Sequence, residues 1–71
     1  MKGEVTTWRL HGPVDDMSCA IAPTTGGFAL AMRHGRELIL AEFYARLESA
    51  TRRADQLRSR LRDRGWEDGA T

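Results

Sequence analysis

The strongest pattern in this chain of 71 residues is a repeat of apolar side chains toward its C-terminal end. Because an α-helix turns once every ~3.6 residues, apolar residues spaced alternately by four and three lie on one side of a helix. The apolar positions with this spacing are Phe43, Leu47, Ala50, Ala54, Leu57 and Leu61. The sequence therefore predicts a helix over about residues 46–64 that buries a single stripe.

The predicted helix has a clear stop signal at Gly65. If Gly65 takes the left-handed conformation just beyond the helix, Leu61 and Trp66 occupy the two positions that touch in a Schellman motif. The start of the helix is less well defined, because Arg46 is a poor N-cap residue. Residues 67–71 follow the stop signal, and we expect them to form a flexible tail.

Four segments upstream of the helix carry the β-branched, aromatic and alternating apolar residues that are typical of strands. Turn signals separate them at Gly12-Pro13, at residues 23–27 and at His34-Gly35. The predicted strands cover about residues 4–11, 17–22, 28–33 and 36–44. A four-stranded antiparallel meander followed by one helix predicts a single α+β domain of two layers.

Turn lengths predict which side chains share a face of the sheet, because a slip of one residue reverses a whole strand. A loop at His34-Gly35 pairs Leu30 with Ile39. The face under the helix then holds Trp8, Leu10, Met17, Cys19, Ile21, Phe28, Leu30, Met32, Ile39 and Phe43. The other face is mostly small or polar, and its large apolar members are Leu38, Leu40 and Tyr44.

An alternative interpretation starts the helix near Glu37 instead of near Arg46. The segment that follows Glu37 contains good helix formers, and Leu40 would extend the apolar stripe backwards. A strand is favoured because residues 38–40 are all large and apolar, which suits a strand buried on both faces. The hairpin turn at His34-Gly35 would also lack a partner strand if the helix started early.

No group of side chains in the sequence predicts catalysis, a metal site or a cofactor site. His11 and His34 each precede a glycine in a predicted turn, and no nucleophile is spaced to form a triad with them. Asp15-Asp16 lacks the further oxygen ligands of a calcium loop, and residues 24–27 lack the lysine and the following helix of a phosphate-binding loop. Cys19 is expected to be a small buried apolar residue. We therefore expect a protein that is not an enzyme.

The small size of the chain suggests that it associates with itself. One cysteine excludes an internal disulfide, so oligomerisation is the remaining way to add stability. The last strand would leave an unpaired edge, and we expect a homodimer whose contact includes Leu38, Leu40 and Tyr44. No stretch is apolar enough for a membrane span or a signal peptide, so we expect a cytoplasmic interaction or structural module.

A second hypothesis comes from the order of the predicted elements. Four antiparallel strands followed by a helix resembles the half-unit of the Whirly-type proteins that bind single-stranded nucleic acid. The resemblance implies binding through the open face of the sheet, which needs positive charge and exposed aromatic side chains. The candidate contacts are Arg9, Arg33, Arg36 and Tyr44. The arginines on the back of the helix, including Arg46, Arg53 and Arg60, are expected to form a solvated face.

Overall fold

The computed structural model describes residues 3–68, in which one antiparallel sheet carries a single helix across one face. The elements are β1 (Val5–His11), β2 (Met17–Thr24), β3 (Gly27–His34), β4 (Glu37–Tyr44), α1 (Leu47–Asp63) and β5 (Glu67–Asp68). The strands lie in the order β4-β3-β2-β1-β5. The predicted α+β class, with a four-stranded meander followed by one helix, is confirmed. The short strand β5 is an addition to it.

Helix α1 ends in the Schellman motif that the sequence predicts. Gly65 has a φ of +101°, a conformation that glycine adopts without steric cost. The N–H of Trp66 donates to the carbonyl of Leu61 at 3.1 Å, and the N–H of Gly65 donates to that of Arg62 at 3.0 Å. At its other end the helix begins after Arg46, whose side chain makes no cap. A start near Glu37 is excluded because that segment is strand β4.

The core lies between the helix and the face of the sheet beneath it. Its buried members are Trp8, Leu10, Met17, Cys19, Ile21 and Leu30 from the sheet, and Ala50, Ala54 and Leu57 from the helix. The small residues Ala50 and Ala54 form the centre of the helix stripe, so the helix backbone can approach the sheet closely. A ring of half-buried apolar residues packs around this core: Phe28, Met32, Leu40, Tyr44, Leu61 and Trp66.

The loop between β3 and β4 differs from its predicted position by one residue. His34 pairs with Glu37, so the two-residue loop is Gly35-Arg36 and not His34-Gly35. Gly35 has a φ of +61°, which the first position of a type II′ hairpin loop requires. Because of this shift, each residue of β3 faces a β4 residue two positions later than predicted. Side chains alternate with a period of two, so the shift by itself does not change which face they lie on.

A β-bulge in β4 does change the faces. Arg33 lies opposite Leu38, but Met32 lies opposite Leu40, so Ile39 is an extra residue in β4. Because side chains alternate along a strand, one extra residue reverses the faces of everything beyond it. The predicted pairing of Leu30 with Ile39 is therefore wrong.

The reversal exchanges two pairs of side chains between the faces of β4. Leu40 and Tyr44, predicted to point away from the helix, pack against the core under α1. Ile39 and Phe43, predicted to lie in the core, are 44% and 74% exposed. The predicted core is correct on the first three strands and wrong on the fourth.

The chain after the helix returns to the sheet. Glu67 pairs with His11 and Asp68 pairs with Leu10, which makes β5 a short neighbour of β1. The guanidinium of Arg58 donates to Asp68 Oδ1 at 2.6 Å, and this bond lowers the pKa of the Asp68 carboxyl. The first two residues of the predicted flexible tail, 67–71, thus form strand β5, and residues 69–71 lie outside the described range.

Candidate interaction surface on strand β4

Strand β4 is an unpaired edge of the sheet. It pairs with β3 on one side, and no strand among residues 3–68 lies on its other side. Its eight residues include neither proline nor lysine, the residues that commonly protect sheet edges. At the opposite edge, β5 covers part of β1. The backbone groups along the outer side of β4 are therefore available to another strand.

The face of the sheet opposite α1, which we call the open face, has a floor of small side chains. Cross-strand rows place Ala20, Ala31 and Ala41 side by side, and Ala22, Ala29 and Phe43 form the next row. Ala20 and Ala22 are buried by their neighbours in the sheet. Because these alanine side chains are short, larger side chains at the border of the open face extend further into solvent than they do.

The border along β4 carries three exposed apolar side chains, Leu38, Ile39 and Phe43, which we call the β4 strip. Their exposed fractions are 51%, 44% and 74%. The bulge brings Leu38 and Ile39 to the same side, because Leu38 lies opposite Arg33 while alternation from Leu40 turns Ile39 away from the helix. Exposed apolar residues that adjoin one another on an edge strand are typical of a surface that binds protein.

The three residues predicted to form a dimer contact do not share a surface. Leu38 lies on the open face, as expected. Leu40 lies opposite Met32 and packs against the core, and so does Tyr44. The prediction that Leu40 and Tyr44 point away from the helix is wrong, because the bulge at Ile39 turns them toward it.

Tyr44 belongs to a polar cluster that links β4 to the helix. Its hydroxyl donates to Glu42 Oε1 at 2.6 Å, and the Arg53 guanidinium donates to the two oxygens of the same carboxylate at 2.9 and 3.3 Å. Hydrogen bonds from Arg53 and Tyr44 lower the pKa of Glu42, while the bond to Glu42 raises the pKa of Tyr44. The cluster holds the helix against the edge strand and occupies the Tyr44 hydroxyl.

The residues predicted to contact nucleic acid are only partly brought together. Arg9 and Arg33 both flank Ser18 in one cross-strand row of the open face. Arg36 lies in the exposed loop between β3 and β4. Tyr44 is on the other face, and the exposed aromatic side chain of the open face is Phe43.

The arginines on the back of the helix are partly neutralised by carboxylates. Arg53 binds Glu42, and Arg58 binds Asp68, with Arg62 Nη1 at 3.6 Å from the second Asp68 oxygen. This side of the helix is therefore less positive than its sequence suggests. It does not share a face with Arg9 or Arg33.

In the described part of the chain, the side chains that could take part in catalysis do not come together in one site. His11 Nδ1 is 2.7 Å from Asp16 Oδ1 at the exposed end of β1, and the His34 ring meets the Trp66 ring edge-on, with centroids 5.7 Å apart. Cys19 is fully buried, and burial raises the pKa of its thiol. Within residues 3–68, no three His, Cys, Asp or Glu side chains are grouped as metal ligands. No helix in that range is long and apolar enough to cross a membrane.

The sequence-based prediction missed Ile39 and Phe43 as surface residues. The run Leu38-Ile39-Leu40 does indicate an irregularity in this strand. Three consecutive large apolar residues do not fit the strict alternation of a strand with one buried face. The run does not say which residue is the extra one. Pairing with β3 decides that.

Comparisons of the chain with protein-family models, with curated proteins and with solved structures found no significant match. The function is therefore inferred from the surface itself. Its two distinctive features are the β4 strip on an unpaired edge and the two arginines, Arg9 and Arg33, on the open face.

Proposed function

We propose that this protein is a non-enzymatic, cytoplasmic interaction module that works as a homodimer, with the two copies joined along β4. The observation that carries the proposal is that one edge strand is both unpaired and lined by the exposed β4 strip. A second copy covers both features at once, since its own β4 supplies a strand and its own β4 strip supplies apolar surface. A small chain gains from such a contact the buried area that its own core lacks.

Burial of the β4 strip contributes favourably to this contact. Full burial of a Phe or Ile side chain stabilises by roughly 1.5–3 kcal/mol. A two-fold contact buries Ile39 and Phe43 twice, once from each copy. Strand pairing adds backbone hydrogen bonds on the side of β4 that otherwise faces solvent.

Sedimentation equilibrium tests the homodimer. We expect the wild type to be dimeric at tens of micromolar and Phe43→Lys to be monomeric, because a lysine is costly to bury at a paired edge. Val14→Lys is the matched control. Like Phe43, Val14 is an exposed apolar residue, with an exposed fraction of 86%, but it lies in the loop between β1 and β2 and not in the β4 strip. Circular dichroism establishes that each variant is folded. A monomeric wild type, or a Phe43→Lys dimer of unchanged affinity, contradicts the proposal.

A second candidate function is binding of single-stranded nucleic acid on the open face. The observation that favours it is that Arg9, Arg33 and the exposed ring of Phe43 lie on the same face. Bases stack on exposed aromatic rings while arginines neutralise the phosphates. The aromatic contact in this version is Phe43, and Tyr44 is not involved.

Titration of a fluorescently labelled oligothymidylate at low and at moderate salt tests this second function. Binding to the phosphates of a nucleic acid releases counterions from it. A higher salt concentration opposes that release, so the affinity falls as salt rises. We expect Arg33→Ala to weaken binding more than Arg60→Ala, which removes the same charge from the helix. Binding that is undetectable at low salt, or equal losses in the two variants, rules out the open face as a nucleic-acid surface.

A further inference from the structure

We infer that the two copies pair through antiparallel β4 strands with Ala41 on the two-fold axis. This inference rests on the proposed homodimer and specifies its geometry. The occupant of the unpaired edge is then β4 of a second copy. Two features define this geometry: the direction of the two-fold axis relative to the sheet, and the residue of β4 at which the axis crosses the strand.

The direction of the axis follows from the β4 strip. An axis perpendicular to the sheet keeps both helices on one side and joins the two open faces into a single surface. The two copies of the strip, each holding Leu38, Ile39 and Phe43, then meet along the junction. An axis in the plane of the sheet would put the two strips on opposite faces, and each would stay exposed.

The position of the axis follows from the side chains that it brings opposite one another. With Ala41 on the axis, Phe43 lies across from the partner's Ile39, and Ile39 lies across from the partner's Phe43. Pairs of an aromatic and a β-branched side chain are favourable on neighbouring strands. The methyl group of Ala41 is small enough for the two strands to meet at the axis without a clash.

Moving the axis by one residue in either direction is unfavourable. With Glu42 on the axis, two carboxylates would lie directly opposite each other, and like charges in that position destabilise a sheet. Arg53 offsets part of this repulsion from within each copy, but Phe43 would also lie across from the partner's Ala41 and lose its β-branched partner. With Leu40 on the axis, Ile39 would lie across from the partner's Ala41, and Phe43 would lose its β-branched partner.

Disulfide cross-linking tests the position of the axis. Opposite residues of an antiparallel pair have Cα atoms about 4.5–5.5 Å apart, within the range of about 4.4–6.8 Å that a disulfide spans. We expect Ala41→Cys, treated with a mild oxidant at a concentration where the protein is dimeric, to give a cross-linked dimer on a non-reducing gel. The same substitution combined with Phe43→Lys should lose most of the cross-linked product, because the contact itself is lost.

Ala29→Cys is the matched control, because Ala29 is an alanine on the same open face but one strand further from the edge. In the inferred dimer its two copies are three strand spacings apart, about 14 Å across the strands, and they are also offset by four residues along the strands, so it should not cross-link. The wild type reports the background from Cys19, which is fully buried.

Three results would overturn the inference. A dimer by sedimentation whose Ala41→Cys variant stays uncross-linked leaves the homodimer standing but moves the axis away from Ala41. Efficient cross-linking through Ala29→Cys shows that the copies pack face to face. A wild type that stays monomeric removes the proposed homodimer together with its geometry.

Discussion

The indole N–H of Trp8 donates a hydrogen bond to the backbone carbonyl oxygen of Ala54, with 2.8 Å between Nε1 and O. The two residues are 46 positions apart in sequence and both are buried. The bond joins the first strand to the middle of the helix, where the Ala54 side chain is small enough for the indole to reach the backbone. It helps to hold the helix over one face of the sheet, and the other face is left open.

Replacement of Trp8 by Phe should lower the free energy of unfolding by about 1–3 kcal/mol. A typical hydrogen bond contributes about 0.5–1.5 kcal/mol, and the smaller ring adds a packing loss. Urea unfolding at neutral pH measures the change. Trp66→Phe is the control, because within residues 3–68 the Trp66 indole N–H has no hydrogen-bond partner. Equal losses in the two variants would mean that the bond to Ala54 contributes nothing.

Ala54→Leu should destabilise the fold by about 1–3 kcal/mol, because the larger side chain overpacks a closed interface. Ala54 is 1% exposed and lies in the centre of the buried stripe. Gln56→Leu adds the same side chain to an exposed position of the helix and should change stability by only about 0.5 kcal/mol. Thermal unfolding of both variants gives the comparison. A neutral or stabilising Ala54→Leu would show that the helix can move away from the sheet.

Gly12 and Trp66 should be energetically coupled. A Cβ added at Gly12 would overlap the Trp66 ring, so Gly12→Ala should destabilise the protein by displacing that ring. Trp66→Ala should itself cost about 1–3 kcal/mol through lost apolar contact. In the double variant the clash is absent, so Gly12→Ala should be nearly neutral there. A double-mutant cycle of unfolding free energies measures the coupling, and additive losses would contradict the contact.

Arg53→Met should make the free energy of unfolding less dependent on pH in the acidic range. The pKa of Glu42 is lowered in the folded state by Arg53 and Tyr44, so the carboxylate form stabilises the fold. That contribution is fully present above the pKa of an unfolded glutamate, about 4.3, and is lost as the pH falls through the lower folded pKa. Unfolding free energy should therefore fall less steeply in acid for Arg53→Met than for the wild type. Arg52→Met, on the exposed face of the helix, should follow the wild-type curve.

Local signals in the sequence were sufficient for several parts of the structure. Leu61, Gly65 and Trp66 are near neighbours, and together they predict the end of the helix, because a Schellman motif is made by the residues that surround it. Gly12-Pro13 marks the loop between β1 and β2 in the same way. In each of these cases the residues that decide the conformation are close in sequence.

The tertiary structure alone decided the faces of β4 and the return of the chain after the helix. The bulge at Ile39 exists only in relation to β3, and no spacing within Leu38-Ile39-Leu40 shows which residue is extra. Strand β5 consists of Glu67 and Asp68, which have no preference for strands, and it forms where Arg58 and the edge of β1 hold it. Helix and turn signals are local and can be read from neighbouring residues. Register beyond a bulge depends on a partner strand, so the exposed face of β4, and with it the candidate site, became clear only in the folded chain.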